Sequence, residues 1–157
     1  RVRGLWLRFD TKPVHQLSLR GMSLITPNRK EAFELAGLPD NTRTNDPMQD
    51  NNLLRVADYL MEQLCPALLL ITLGDQGMML CRRAQKPFHI STVAQKVFEV
   101  SGAGDTVIAS FTLAISAGAS PTEAAIFSNH AAGVGVGKVG TATVSPEELQ
   151  ANFKRFP

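Results

Sequence analysis

Ser101-Gly102-Ala103-Gly104-Asp105-Thr106 is the stretch of sequence that decides the fold, because it lies where a strand-like run, residues 97–100, gives way to an apolar helical pattern. Glycine lets a backbone turn tightly and brings its N–H groups close to an anion. The N-terminus of the following helix adds a partial positive charge, which favours bound phosphate. A carboxylate at a helix start, here Asp105, is also an ordinary cap, so these residues alone leave both a phosphate site and a capped turn open.

Strand-like and helix-like segments alternate along the chain, and this order predicts an α/β protein with a largely parallel sheet. Hydrophobic runs predict six strands, the fourth and fifth forming a meander, at residues 5–9, 23–26, 67–72, 78–81, 88–91 and 97–100. Apolar periodicity and capping signals predict five helices, at residues 28–35, 53–64 and 106–117 and after the capping sequences that begin at Ser120 and Ser145. Residues 37–52 are mostly Pro, Asn, Asp and Thr, which predicts a surface loop.

Composition and charge fit one globular domain over residues 1–157. A chain of this length with 44% hydrophobic residues buries roughly 70% of its unfolded surface. The net charge of +2 is spread over 16 basic and 14 acidic residues, without a basic run interleaved with aromatics, so no nucleic-acid partner is expected. The apolar runs are too short to span a bilayer and no signal-peptide stretch opens the sequence, so we expect a cytoplasmic protein with no membrane partner.

Several residues that could carry other chemistry have simpler interpretations. Cys65 and Cys81 lie in no C-x-x-C pair, which predicts reduced core thiols. His15, His89 and His130 are dispersed, so no metal-binding histidine site is predicted. The glycine spacing of residues 133–138 does not fit a Walker A loop, and the segment is predicted to be a glycine-rich helix exit.

Two further polar motifs are ambiguous when taken singly. Thr72-Leu73-Gly74-Asp75-Gln76-Gly77 follows a buried strand, and open α/β sheets bind ligands at the carboxyl ends of their strands. A tight turn into Met78 explains the same residues and is favoured by them alone. Asn28 with Glu31 three residues later forms a capping box, which needs no function.

The order of four elements along the chain is more informative than any one of them. Thr-Pro-Asn-x-x-Glu at 26–31, Thr-x-Gly-x-x-Gly at 72–77 and Gly-Ala-Gly-Asp at 102–105 precede a helix that carries Asn129. From about residue 10 to residue 153, this order resembles the C-terminal half of the ribokinase-like sugar kinases of the phosphofructokinase-B type. Residues 10–12, 24–28 and 136–145 resemble more closely the kinase domain that phosphorylates D-glycero-β-D-manno-heptose 7-phosphate at its anomeric hydroxyl.

The resemblance implies an incomplete ribokinase-like three-layer α/β/α sandwich, in which the N-terminal βαβ units and the lid are absent. It implies an ATP-dependent carbohydrate kinase with ATP and Mg²⁺ as cofactors and a sugar or sugar phosphate as substrate. Asp105 matches the catalytic base, and the N–H groups of Gly102, Ala103 and Gly104 match the anion hole around the transferring phosphoryl group.

The remaining implied roles concern the nucleotide and the metal. Thr72, Gly74 and Gly77 match the region that binds the nucleotide phosphates and ribose, and Asn129 matches a position near the adenine. The motif that organises magnesium, usually through water, is matched by Asn28 and Glu31. Glu99 stands where the family usually has an Asp linked to a monovalent-cation site, so cation activation is not expected.

Two other classes of function stay open at this point. The chain is either a catalytic kinase segment, a non-catalytic nucleotide-binding or interaction fragment, or an α/β domain whose glycine loops are only turns. Without the N-terminal half, the strand at 5–9 would have an open edge, so we expect the isolated chain to be a homo-oligomer with little turnover. Magnesium-dependent ATP binding would exclude the third class, and turnover would separate the first two.

Overall fold

The computed structural model describes residues 8–9, 20–93, 102–138 and 142–156. The chain divides into two compact units, residues 1–89 and 90–157. Five strands are described: β1 (Arg8–Phe9), β2 (Leu24–Ile25), β3 (Leu68–Thr72), β4 (Met78–Arg82) and β5 (Phe88–Ile90). Five α-helices are described: α1 (Arg29–Ala36), α2 (Asn51–Leu64), α3 (Ala103–Ser116), α4 (Pro121–Val136) and α5 (Pro146–Arg155). The expectation of a single domain stays a prediction.

The strands form one sheet in the order β1-β2-β3-β4-β5. The first three strands are parallel, and β4 pairs antiparallel with β3, from Leu68 opposite Arg82 to Thr72 opposite Met78. The predicted parallel sheet that continues into a meander is therefore confirmed. The strand predicted at 97–100 and the first residues of the one predicted at 5–9 lie outside the described residues.

Both faces of the sheet are buried. On one face, side chains from β2, β3 and β4 pack with α1 and α2 in a single cluster that includes Ile71 and Phe33. Leu24, Leu70 and Leu80 alternate with these residues along the strands, and each is fully buried. Each such side chain contributes about 1.5–3 kcal/mol through burial, and burial on two faces is typical of parallel sheets in α/β proteins.

In the second unit, α3 packs along α4, and α5 packs on α4. His130 of α4 is buried, with its ring stacked on Phe153 at 3.9 Å between centroids and its Nδ1 2.7 Å from Asn152 Oδ1. This histidine is a packing residue, as predicted. None of the described helices is long and apolar enough to cross a bilayer.

The C-terminal end of α4 differs from the sequence expectation. Residues 133–136 are helical, so the predicted glycine-rich exit begins only at Gly137, the C-cap. Glycine costs about 1 kcal/mol in a helix interior relative to alanine, and α4 tolerates this cost at positions 133 and 135. A Cβ at Gly135 would lie 3.8 Å from Val144 Cγ2 and 3.9 Å from Thr106 Oγ1, so these two side chains lie close to the helix at this point.

The loop between α1 and α2 is held by one arginine. Arg29 donates to the Asp40 carboxylate, to the carbonyl of Thr42 and to Asp50 Oδ2, the last at 2.8 Å. The side chain of Asp50 is 1% exposed, and its other oxygen accepts from Leu53 N and Thr42 Oγ1. Asp50 thus caps α2, which explains why that helix begins at Asn51, two residues earlier than predicted.

We expect Asp50→Asn to lower the free energy of unfolding by about 2 kcal/mol at neutral pH, the size of one charge-assisted hydrogen bond. Asparagine still caps the helix, so the change isolates the ion pair. Burial raises the pKa of Asp50, but hydrogen bonds from Arg29, Leu53 and Thr42 hold it below its usual value. The stabilisation is therefore complete above the unfolded pKa of about 3.9 and is lost as the pH falls through the folded pKa.

Urea denaturation at several pH values measures this effect. Asp58→Asn, which removes an exposed carboxylate from α2, serves as the matched control. The difference between wild type and Asp50→Asn should shrink below about pH 4, where the unfolded carboxyl becomes protonated. A constant difference across the acid range would show that the carboxylate charge of Asp50 contributes nothing.

Candidate functional site

The start of α3 lacks a side-chain cap. Four of the five described α-helices begin with a side chain that accepts a hydrogen bond from the first turn, namely those of Asn28, Asp50, Ser120 and Ser145. The N-cap of α3 is Gly102, at φ 81 and ψ −1, where no side chain accepts from the helix. Asp105 lies inside the first turn, so the capped-turn interpretation of its carboxylate is wrong.

The amides of that first turn have no hydrogen-bond acceptor within the helix. The first hydrogen bond of the helix runs from Thr106 N to Gly102 O at 3.0 Å, so the N–H groups of Ala103, Gly104 and Asp105 precede it. Thr106 Oγ1 also donates to Gly102 O at 3.0 Å, which fixes the turn. Three neighbouring N–H donors at the positive end of a helix dipole form a favourable site for an anion.

Open space adjoins these amides. A Cβ built on Gly104 would meet no atom within 4 Å. The Asp105 side chain is exposed, and among the described residues no cation pairs with it. Beside the turn lies a small cavity of about 100 Å³, lined by Gly102, Ala103, Asp105, Thr106, Gly135, Val136 and Ala142. An anion at the amides would therefore lie beside a carboxylate that is able to accept a proton.

In the first unit, two of the predicted motifs lie side by side. Asn28 and Thr72 form an isolated parallel bridge, and Thr72 N donates to Pro27 O at 3.0 Å. The capping box of α1 is formed as predicted, with Glu31 N 2.9 Å from Asn28 Oδ1 and Asn28 N 2.8 Å from Glu31 Oε2. The α1 N-terminus and the turn after β3 thus share the carboxyl edge of the parallel strands, where α/β proteins bind ligands.

The turn after β3 needs both of its glycines. Gly74 and Gly77 have φ values of 64° and 86°, in a region that side chains rarely adopt. Gly77 N donates to Gly74 O and Leu73 N to Gly77 O, which closes the turn before β4. The tight-turn interpretation is correct, and the nucleotide-binding role of Thr72, Gly74 and Gly77 stays a prediction that this geometry accommodates.

The loop between α1 and α2 also contacts this turn, although the sequence predicted only a surface loop there. Gln76 Nε2 donates to Thr44 O at 2.7 Å, and Arg43 Nη2 lies 2.6 Å from Asp75 Oδ1. Two buried oxygens at this edge, Thr26 Oγ1 and Gln76 Oε1, have no hydrogen-bond partner among the described residues. The loop contains three aspartates, at positions 40, 46 and 50, and these could have indicated that the loop forms hydrogen bonds with neighbouring segments.

Asn129 lies within α4 and is 4% exposed. Its Nδ2 donates to the carbonyl of Ser91 at 2.8 Å, which ties the chain after β5 to the helix. The side chain is thus engaged within the second unit. Its position near an adenine stays a prediction.

The residues fit a magnesium ion held mostly by water and phosphate. Among the described residues, no group of three His, Cys, Asp or Glu side chains could hold a metal. Mg²⁺ commonly keeps several waters and takes one or two carboxylates together with substrate phosphates. A carboxylate such as Glu31, engaged in its capping box, suits an indirect role through water. Glu99 and His15 lie outside the described residues.

The cysteines do not contribute to this chemistry. Both are free thiols. Burial, together with the nearby Asp58 charge, raises the pKa of Cys81 to about 12. A thiol with such a pKa stays protonated at neutral pH and is inert as a nucleophile. Cys81 is therefore a core thiol, as predicted, whereas Cys65 is only partly buried and does not belong to the core.

Comparison with known proteins supports the order of motifs. The model of the pfkB family of carbohydrate kinases matches residues 4–148. The "Bifunctional protein HldE" of Pectobacterium atrosepticum is 40% identical over 150 residues, which cover 96% of this chain and 30% of the relative. The protein of the same name from Desulfatibacillum aliphaticivorans is 40% identical over 157 residues, covering 100% of this chain and 31% of the relative. The chain thus spans about a third of the length of these curated relatives.

Solved structures give the fold. The ribokinase of Thermotoga maritima matches with a TM-score of 0.78 and 27% identity, over 94% of this chain and 48% of that chain. The ribokinase of Arabidopsis thaliana, solved with ribose and ATP, matches with a TM-score of 0.75 and 26% identity, over 87% and 42% of the two chains. The predicted ribokinase-like α/β fold is confirmed, and the chain corresponds to less than half of either kinase.

Proposed function

The chain belongs to the pfkB family of carbohydrate kinases, and from this premise we propose that it is the nucleotide-binding and catalytic part of a kinase that transfers phosphate from ATP to a hydroxyl of a sugar or sugar phosphate. The observation that carries the proposal is the start of α3. Its first-turn amides have no side-chain cap, open space adjoins Gly104, and the Asp105 carboxylate lies in the same turn.

The chemistry divides between two groups of this turn. The oxygen of the acceptor hydroxyl attacks the terminal phosphorus of ATP, and the Asp105 carboxylate accepts the proton of that hydroxyl. The bond between the phosphorus and the oxygen of ADP breaks at the same time. The amides of residues 102–104 donate hydrogen bonds to the oxygens of the transferring group. Because phosphoryl transfer passes through a loose transition state, positioning and charge stabilisation dominate, and a modest base is sufficient.

Binding of the nucleotide involves the first unit in this proposal. Thr72, Gly74 and Gly77 contact the phosphates and ribose of ATP. Asn28 and Glu31 orient water around Mg²⁺. When bound, the metal neutralises charge that develops on the phosphate oxygens. The bridge between Asn28 and Thr72 supports this assignment, because it brings the two motifs to one edge of the sheet.

We propose heptose 7-phosphate, phosphorylated at its anomeric hydroxyl, as the acceptor. Support comes from the resemblance of residues 10–12, 24–28 and 136–145 to that kinase subfamily and from 40% identity to the HldE proteins. Turnover measured through ADP release from the complete polypeptide, with heptose 7-phosphate, fructose 6-phosphate and ribose in parallel, tests the choice. Preference for either of the other two sugars would contradict the heptose assignment but leave the kinase class intact.

A non-catalytic nucleotide-binding or interaction fragment is the second candidate, because the turn after β3 could bind a nucleotide without any chemistry at Asp105. Calorimetric titration of the chain with a non-hydrolysable ATP analogue, with and without Mg²⁺, tests the part that both candidates share. We expect saturable binding that requires Mg²⁺. No binding would contradict both candidates, while binding without turnover in the complete polypeptide would favour the second.

We expect the isolated chain to form a dimer or larger assembly and to show little turnover. Leu113 of α3 is 64% exposed, and β1 is an edge strand of the described sheet. Association removes apolar surface and an open strand edge from water. Sedimentation velocity at micromolar concentration measures the assembly, and Leu113→Asn should weaken it. A monomer with robust sugar-dependent turnover would contradict this expectation.

A further inference from the structure

Lys138, two residues beyond the end of α4, joins two parts of the second unit. Its Nζ donates to the carbonyl of Thr143 at 2.6 Å and lies 2.7 Å from both carboxylate oxygens of Glu148. Glu148 Oε2 also accepts from Ser145 N at 2.8 Å, as part of the capping box of α5. One ammonium group therefore ties residues 143–148 back to the end of α4.

The segment held in this way borders the candidate phosphate site. Ala142 lines the small cavity beside Gly102 and Asp105. Val144 Cγ2 lies 3.8 Å from the position of a Cβ on Gly135, which in turn is 3.9 Å from Thr106 Oγ1. The contacts of Lys138 thus fix residues that form the wall opposite the first turn of α3.

The charges around Lys138 indicate that its contribution is geometric. The Lys138 side chain is 29% exposed and that of Glu148 is 42% exposed, so water screens the pair and its contribution to global stability is small. The hydrogen bond from Lys138, followed by that from Ser145, holds the pKa of Glu148 below its usual value, so the carboxylate is ionised at neutral pH. The Lys138 ammonium donates to two acceptors, the Thr143 carbonyl and the Glu148 carboxylate. These two contacts fix the backbone of residues 143–145.

We propose that Lys138 is a positioning residue of the phosphate-binding site: its ammonium holds residues 142–145 against the first turn of α3 and so keeps the amides of residues 102–104 in place for a phosphate. The proposal deepens the proposed function and rests on it. Lys138 acts through these neighbours and does not itself contact the nucleotide, because its three donor positions are directed at Thr143 and Glu148.

Hydrogen–deuterium exchange of the complete chain without ligand tests the positioning role directly. In Lys138→Met, which keeps the aliphatic stem and removes the charge, the amides of Ser145 and Thr106, which donate to Glu148 and to Gly102 O, should exchange roughly 10-fold faster. Calorimetric titration with a magnesium-bound, non-hydrolysable ATP analogue should show affinity reduced by roughly 10-fold, the usual effect of losing a group that orients direct contacts.

Three further variants separate the possible causes. Lys138→Arg keeps the cation and should restore most of the protection and affinity. Glu148→Gln keeps an acceptor for Ser145 N but loses the charge, so it should repeat the effect of Lys138→Met in a weaker form. Lys154→Met removes an exposed lysine from α5 and is the matched control, which should change neither measurement.

Unchanged exchange in Lys138→Met would overturn the positioning role, whatever happens to nucleotide affinity. Faster exchange with unchanged affinity would overturn it as well, because the segment would then be irrelevant to phosphate. Lower affinity with unchanged exchange would mean that Lys138 contacts the nucleotide itself, which also contradicts the proposal. If the unsubstituted chain binds no nucleotide, the proposed function fails first and the positioning role fails with it, a result distinct from the other three.

Discussion

Asp105→Asn is expected to lower turnover of the complete kinase by roughly 10²–10⁴-fold, the usual contribution of a positioned general base. The amide cannot take the proton of the attacking hydroxyl, but it has nearly the shape of the carboxylate and leaves the neighbouring N–H groups in place. Nucleotide affinity should therefore stay nearly unchanged. Steady-state kinetics gives the turnover, and titration with a non-hydrolysable ATP analogue gives the affinity.

Asp58→Asn is the control for this change, because it removes an exposed carboxylate from α2. It should alter neither turnover nor affinity. Near-normal turnover in Asp105→Asn would remove the base assignment. A large loss of nucleotide affinity would instead assign Asp105 to nucleotide or metal binding.

Gly104→Val should abolish tight nucleotide binding and turnover while leaving the fold intact. Nothing in the described structure lies within 4 Å of a Cβ at this position, so the protein itself has room for a side chain. The space is the one proposed for phosphate, and a β-branched side chain would fill it. We expect a loss of at least about 10²-fold in kcat/KM, comparable to the loss of an oxyanion-hole donor.

Stability measurements make this test specific. Valine has a better helix propensity than glycine, so the melting temperature of Gly104→Val should stay equal to or slightly above that of the wild type. Ala109→Val, at an exposed position one turn later in α3, controls for β-branching on the same helix and should keep full activity. Comparable kinetics in Gly104→Val and wild type would mean that the glycine sequence is only a turn.

The fold was largely predictable because its signals are local. Capping sequences at Asn28, Ser120 and Ser145 predicted three helix starts correctly, since each cap is made by residues only three positions apart. The meander after β3 followed from the short spacing of two apolar runs. In contrast, α4 continues through residues 133–136 although two glycines lower the helix propensity of this segment, so propensity alone placed its end too early.

The candidate site was predictable only in part. The glycine loop and Asp105 could be found because they are contiguous in sequence. The sequence left open whether Asp105 caps its helix, and only the observed N-cap at Gly102 excludes that interpretation. Gln76 with Thr44 and Lys138 with Glu148 are pairs 32 and 10 residues apart. Contacts at such separations depend on the path of the connecting loops. The periodicity of apolar residues does not determine that path.

The missing cap of α3 links the ligand to the stability of the protein. Four of the described α-helices complete their first turn with a side chain of their N-cap residue, whereas the N-cap of α3 is Gly102, which has no side chain to accept a hydrogen bond. A phosphate oxygen that accepts hydrogen bonds from the first turn of α3 would stabilise that turn. Phosphate binding and the ordering of the turn would then be thermodynamically coupled. At a ligand concentration 100 times its Kd, the linkage adds about 2.7 kcal/mol to the free energy of unfolding. The concentration of a phosphate ligand bound at this turn would therefore determine part of the stability of the whole protein.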